Sequence, residues 1–204
     1  NAITCERLNI PSNDNSIGLA ASGMIRQQGK LPQWYVHIQQ FNISNALRSQ
    51  CKEVVKNLPD QLTKLNNITI KGDASGIGMK AIQTHSNILT DAGNISLQLD
   101  MDTLQQINGN ISTEDVQLGQ LLDNPELGAL TATAQIKGTI SAFNIDSHIR
   151  TLEYKRNAYK DIDISGNYHN GDIAGRLKVD NPFIQTNIEG ELKRAKRTAI
   201  RLSG

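Results

Sequence analysis

The chain has 204 residues, 38% of them hydrophobic and only 4% aromatic, too little bulky apolar mass for a thick, aromatic-rich core. With 21 basic and 20 acidic residues the net charge is +1, so no overall field draws nucleic acid to it. It holds no run of about 18 apolar residues, so no stretch reads as a membrane-spanning helix.

Residues 3–10 read as a first short strand, closed by the turn cluster Pro11-Ser12-Asn13-Asp14-Asn15. Ile17, Leu19, Ala21, Gly23 and Ile25 alternate as a second strand, and residues 34–40 form a third. Trp34, the single tryptophan, is either a ligand platform or an anchor at a rim or core. Ser44 can cap a helix over about residues 44–58, with Leu47, Cys51, Val54, Val55 and Leu58 on one stripe and Pro59 ending it. That helix packs on the sheet or closes one end of it; its mixed polar face (Arg48, Lys52, Glu53, Lys56) argues against a membrane-surface role.

Strands resume over residues 65–72, 76–84, 88–89, 93–102 and 106–111. A second helical turn is expected at 118–122, before Asp123-Asn124-Pro125. From Leu130 to Leu202 the chain alternates almost without interruption, apolar against polar. Side chains on a strand point alternately to the two faces of a sheet, so each segment offers one greasy face and one wet face. Ile95, Leu97, Leu99, Ala134, Ile136, Ile145, Ile164, Leu177 and Ile188 are the expected lining of a shared apolar face. A repeat, apolar-x-apolar-x-Gly, ends at Gly72, Gly166 and Gly204, with relatives at Gly23, Gly138 and Gly190. Glycine on the apolar face leaves room for a neighbouring backbone or for sharp curvature.

No catalytic signature accompanies this pattern. His37, His85, His148 and His169 lack metal-ligand spacing, and no phosphate-binding loop or nucleophile elbow is present. Asp161 and Asp163 share one strand face and mark its solvated side. The basic group Lys193, Arg194, Lys196, Arg197 and Arg201 reads as a solvated face or hairpin tip, or as a contact for an anionic surface. Cys5 and Cys51 could pair in an oxidising compartment; alternatively Cys51 is a small buried hydrophobe on the helix stripe. Four N-x-[ST] sequons, at Asn42, Asn67, Asn94 and Asn110, matter only in a eukaryotic secreted protein. The reading is a non-enzyme with no catalytic residue, cofactor or metal. It starts at Asn1 without a leader and stops in mid-pattern at residues 201–204, which suggests a single β-rich piece (1–111, then 112–204) of a larger repetitive protein, with edge strands open to self-association.

The stretch Val116-Gln117-Leu118-Gly119-Gln120-Leu121-Leu122-Asp123-Asn124-Pro125-Glu126-Leu127-Gly128-Ala129-Leu130-Thr131-Ala132 resembles the translocation-and-assembly-module (TamB) family of the AsmA-like superfamily, in its Bacteroides-like branch. Residues 149–155, 158–168 and 171–175 resemble the strands that follow it there. The likeness covers residues 116–192 best and 17–101 more loosely. It implies an all-β fold: a long antiparallel sheet, strongly curved into a taco-like trough with an apolar inside. It also implies an inner-membrane-anchored protein of the Gram-negative periplasm, associated with phospholipid passage and outer-membrane protein assembly. The implied partners are phospholipid or another acyl-chain ligand and an outer-membrane assembly protein, with no nucleic acid. A structural or adhesive β-rich module of a secreted surface protein is the alternative.

Overall fold

The computed structural model describes residues 2–10, 17–44, 65, 67–180, 185–193 and 199–203. Ile, Thr and Leu in alternation suit a pleated, half-covered surface, and these segments form thirteen strands among the described residues. They are β1 (Ala2–Ile10), β2 (Ile17–Gln28), β3 (Leu31–Ser44), β4 (Asn67–Ile77), β5 (Ala81–Thr90), β6 (Gly93–Met101) and β7 (Gln106–Gln117). A five-residue helix, α1 (Leu118–Leu122), leads into β8 (Leu127–Thr139), β9 (Ala142–Tyr154), β10 (Asn157–His169), β11 (Asp172–Asp180), β12 (Gln185–Lys193) and β13 (Ala199–Ser203). All belong to one antiparallel sheet whose spatial order is the chain order, so the fold is a meander and the sheet is open.

Several element boundaries differ from the sequence reading. The segment 76–84 is cut by a turn at residues 78–80, and residues 88–89 belong to the same strand as 81–84. Gly78, at φ +55°, makes this turn, and its N–H donates to the Pro32 carbonyl at 2.7 Å. β7 runs on to Gln117, and β10 begins at Asn157 rather than at Ile162. Ser44 is the last residue of β3, while the expected helix beyond it and Cys51 lie outside the described residues. The helical turn at 118–122 is present as α1.

The missed strand extensions have one cause. Strict alternation breaks where a strand carries one extra residue, and such bulges occur in β1 between Cys5 and Leu8, in β3 between Ile38 and Phe41, and in β7 between Thr113 and Val116. In β9 the step from Ile149 to Leu152 and in β10 the step from Tyr159 to Ile162 do the same. Asp115 (φ +50°) and Asp161 (φ +57°) sit in two of these bulges in the left-handed region, which Asp tolerates better than branched residues do. A bulge bends its strand and adds twist, so it curves the sheet as well as resetting its phase.

Burial is concentrated on one side of the sheet near the bulges. Ile149, Ile162 and Val179, directly opposite one another on β9, β10 and β11, form one cluster, with Leu130, Leu152, Tyr159 and Leu177 packed around it. Leu65, Ile68 and Ala92 form a second, which Leu121 of α1 covers together with Ile70 and Ile88. α1 is stopped by Asp123 in the left-handed conformation, and the Asn124 N–H closes its last turn on the Gly119 carbonyl at 3.1 Å. The Gln117 N–H donates to the Ala92 carbonyl at 2.6 Å and ties the helix start to the β5–β6 turn.

Ile162 is 7% exposed and its neighbour-but-one Ile164 is 37% exposed on the same strand. Truncating Ile162 to Ala leaves a cavity among packed partners and lowers stability by about 2–4 kcal/mol, whereas Ile164→Ala costs about 1 kcal/mol or less. Urea unfolding of the two variants measures the difference.

Candidate functional site

Cross-strand register joins the apolar positions into continuous rows across the sheet. One row runs Leu8, Ala21, Ile38, Gly72, Ser86, Leu97, Ile111, Ala134, Ser147, Ile164, Leu177, Ile188 from β1 to β12. On one side of it lies the row Ile10, Leu19, Phe41, Ile70, Ile88, Ile95, Thr113, Ala132, Ile149, Ile162, Val179, Thr186. On the other lies Cys5, Gly23, Val36, Ala74, Thr84, Leu99, Gly109, Ile136, Ile145, Gly166, Gly175, Gly190. A fourth row runs Ile3, Ile25, Trp34, Gly76, Ile82, Met101, Ile107, Gly138, Phe143, Tyr168, Ile173, Leu192. None of these positions is Asp, Glu, Lys, Arg or His.

Eight of the nine residues proposed from sequence fall in two of the rows. Leu97, Ala134, Ile164, Leu177 and Ile188 share the first, and Leu99, Ile136 and Ile145 share the third. Ile95 lies in the adjoining row that holds the buried Ile149–Ile162–Val179 cluster. The fourth row was absent from that set, although Ile25, Phe143, Tyr168, Ile173 and Leu192 continue the alternation of their strands. It carries Phe143 stacked on Tyr168, with ring centroids 4.9 Å apart. It also carries Trp34, whose indole N–H donates to the Gly78 carbonyl at 2.7 Å, making it an anchor at the sheet rim.

Repeat glycines fall within the rows, as at Gly23, Gly72, Gly138, Gly166 and Gly190. Gly72 is the clearest case: at φ +150° it lies so close to the His85 carbonyl that a Cβ would collide with it. Apart from the patch at Ile70 and Ile88, where Leu65 and Leu121 of α1 pack, the face is uncovered among the described residues. Ile25 is 52% exposed, Ile173 48% and Ile188 42%, and the strands pack on their sheet neighbours rather than on a second layer. A shallow concavity of ≈ 210 Å³ lies on it over β1–β3, between Ile3, Leu8, Ala21, Ile25 and Val36.

The larger concavity, ≈ 780 Å³ across β5–β10, is lined by Ser86, Leu97, Ile111, Ala134, Ser147 and Ile164 of the first row together with the polar residues that flank them on each strand. The opposite face of the sheet is wet. His148 lies opposite Asp163, Nδ1 to Oδ1 2.8 Å, with Asp161 3.9 Å away. Asp73 lies between His37 and His85 in register. It accepts hydrogen bonds from the Tyr35 hydroxyl at 2.5 Å and from His37 Nδ1 at 2.8 Å. The Tyr35 bond first, and the His37 bond second, hold the Asp73 carboxyl below its ordinary range, and the bond to Asp73 pushes the Tyr35 hydroxyl up. No group of three or more His, Cys, Asp or Glu is arranged for a metal ion among the described residues.

No protein-family model, curated protein or solved structure matches the chain.

Tyr35→Phe removes the larger of the two bonds, so the Asp73 titration midpoint rises toward 3.8 while His37→Asn leaves it lower than Tyr35→Phe does. A carboxyl depressed in the folded state adds stability above its unfolded value and loses it as pH falls through the folded one. The wild-type chain therefore loses this contribution only below pH 3.8, and carboxyl carbon NMR titration reads the midpoint in each variant.

Proposed function

We propose that this chain is a non-enzymatic segment of a cell-envelope protein of the TamB-like kind that residues 116–192 resemble. In this reading it sits in the periplasm of a Gram-negative bacterium, and its charge-free face carries the acyl chains of phospholipids or serves outer-membrane protein assembly. One observation carries the reading: four parallel rows without an ionised side chain run from β1 to β12, with no second layer over them among the described residues. Soluble monomers rarely leave so long a contiguous apolar surface bare, and those that do use it to bind.

The chemistry of the rows fits movement better than capture. Each methylene shielded from water contributes about 0.8 kcal/mol, and aliphatic walls give this without a fixed register. Ser86, Ser147, Thr84 and Thr113 are the Ser and Thr side chains on the four rows over β4–β10, and their neutral hydroxyls impose no charge selection. Thr113 uses its hydroxyl internally, toward the backbone of Leu130 and Ala132 on β8. Head groups need not enter the face at all; they remain in water beside it.

Ile164 is 37% exposed and Leu177 is half-buried, so a carboxylate at either position reaches solvent without being trapped. Ile164→Asp and Leu177→Asp keep the circular-dichroism melt close to wild type, while phospholipid co-purifying with the chain, counted by mass spectrometry of organic extracts, falls at least several-fold. Undiminished lipid in a well-folded variant refutes the acyl-chain path, and so does the absence of lipid from the wild-type chain.

A further inference from the structure

We propose that one end of the sheet, formed by its tight turns, docks on the surface of an anionic phospholipid bilayer. Met79, Leu104 and Ile140 insert among the acyl chains, and Lys30 and Lys80 lie on the head groups. The meander brings the β2–β3, β4–β5, β6–β7, β8–β9 and β10–β11 turns to this same end. Three consecutive turns of that series, residues 78–80, 102–105 and 140–141, each carry one large apolar side chain: Met79 is 78% exposed, Leu104 77% and Ile140 57%. All three turns are flanked on both sides by described strands. Among the described residues every large hydrophobic more than half exposed lies at this end, the other two being Ile3 and Ile25 of the fourth row. Tight turns favour Gly, Asn, Asp and Ser. Apolar residues scattered singly over a surface are ordinary, but these stand together on neighbouring turns.

Hydrogen bonds hold each of these turns in place. The Gly78 N–H donates to the Pro32 carbonyl and the Trp34 indole N–H to the Gly78 carbonyl, both at 2.7 Å, which ties the β4–β5 turn to β3. Asp102 closes the β6–β7 turn by accepting from the Leu104 N–H at 2.8 Å and the Gln106 N–H at 2.9 Å. In the β8–β9 turn the Ala142 N–H donates to Thr139 Oγ1 at 3.1 Å, and the Ser141 carbonyl accepts from the Asn170 N–H of the β10–β11 turn at 2.9 Å. The opposite end of the sheet is built differently. There Ala92 of the β5–β6 turn is 1% exposed, and Leu121 of α1 folds onto a buried cluster.

Charge and depth select the occupant. Arg26, Lys30 and Lys80 are exposed at this end with no carboxylate partner among the described residues. The described acids from the fourth row outward are both engaged, Asp102 within its turn and Asp172 with a partner of its own. Lys193, which opens the basic group of the sequence, lies at the same end, opposite Ala199. Neighbouring strands are about 4.8 Å apart, so turns on every second strand place the three apolar tips in a line about 10 Å apart. A bilayer accepts such separated side chains without a matching surface, whereas a protein partner needs a contiguous, shape-complementary patch. The fourth row, with Trp34, Phe143 and Tyr168, runs three residues in from these tips. At about 3.3 Å per residue it lies roughly 10 Å from them, the level at which aromatic rings gather when the tips reach the acyl chains. Such docking is independent of whether the apolar face carries lipid.

Trp34, the single tryptophan, reports the contact directly. The 204-residue chain floats with vesicles of phosphatidylethanolamine and phosphatidylglycerol, and the same vesicles brominated at a shallow acyl position quench Trp34. The triple variant Met79→Ser/Leu104→Ser/Ile140→Ser binds them about tenfold more weakly or worse. Lys30→Gln and Lys80→Gln each weaken binding about fivefold at low salt, and leave binding to pure phosphatidylcholine vesicles unchanged. Leu122→Ser at the opposite end and Ile164→Asp on the apolar face bind as wild type, which separates docking from the acyl-chain path. Every altered side chain is exposed, so circular-dichroism melts stay close to wild type. If the triple variant folds poorly, the three single variants are read by the same quenching, and each loses part of the binding. Absence of binding to the anionic vesicles overturns the proposal. So does undiminished binding by the tip variants, or an equal loss in Leu122→Ser or Ile164→Asp. Self-association without vesicles that the tip substitutions abolish assigns the turns to a second copy, and overturns it as well.

Discussion

Phase is the constraint on which the rest of this structure depends. A strand turns a side chain to the opposite face at every residue, so a one-residue slip anywhere would send charged groups onto the apolar side of everything beyond it. Across β1 to β12 that does not happen. Where a strand gains a residue it does so as a local bulge, and the apolar set resumes on the same face three positions later, as from Cys5 to Leu8, Ile38 to Phe41 and Thr113 to Val116. The residues that absorb the extra step are polar: Glu6-Arg7, Gln39-Gln40, Glu114-Asp115. The rows stay aligned because the irregularities are placed where their side chains can remain in water.

The energetics follow from the topology. With sheet order equal to chain order, each strand is held by its two neighbours, and stability is close to a sum of local strand–strand terms. Cross-strand pairs such as Leu97–Ile111, Ile136–Ile145 and Leu177–Ile188 are the repeated unit of cohesion. The two buried clusters add packing where bulges bend the strands, and α1 contributes Leu121 to one of them. Among the described residues little else shields the apolar face, and the sheet they form reaches its length without a second layer.

The two faces divide the chemistry. On the wet face, ladders such as Ser96 Oγ to Asn87 Oδ1 at 2.7 Å and Arg176 Nη2 to Glu189 Oε1 at 2.6 Å run between adjacent strands. These exposed pairs contribute little stability individually. Their larger effect is on register and on solubility, since like charges opposite one another or apolar residues on this side would favour other pairings and stacking of sheets. The rows of the apolar face, by contrast, carry no ionised side chain, and their polar groups are a few neutral hydroxyls such as those of Ser86 and Ser147. A surface of this kind suits chains that slide, which is the physical sense of the acyl-chain reading.

The amino-acid sequence alone determined the all-β character, the single antiparallel sheet, the helical turn at 118–122 and the side on which Leu97, Ile136, Ile164 and Leu177 lie, because a two-residue period is a local property written in consecutive residues. The turn at residues 78–80 was less legible, since Gly76 and Ile82 continue the alternation through it, while the reversal is made by Gly78 at positive φ and closed by the Lys80 N–H on the Ile77 carbonyl at 3.1 Å. The full extent of β7 and β10 was hidden for the opposite reason: a bulge breaks the period just as a strand end would. Register belongs to the tertiary structure. Which residue of β9 faces which residue of β10, that Tyr35, His37 and Asp73 meet on the wet face, and that the rows align across the sheet depend on pairing between strands. No local pattern encodes that pairing.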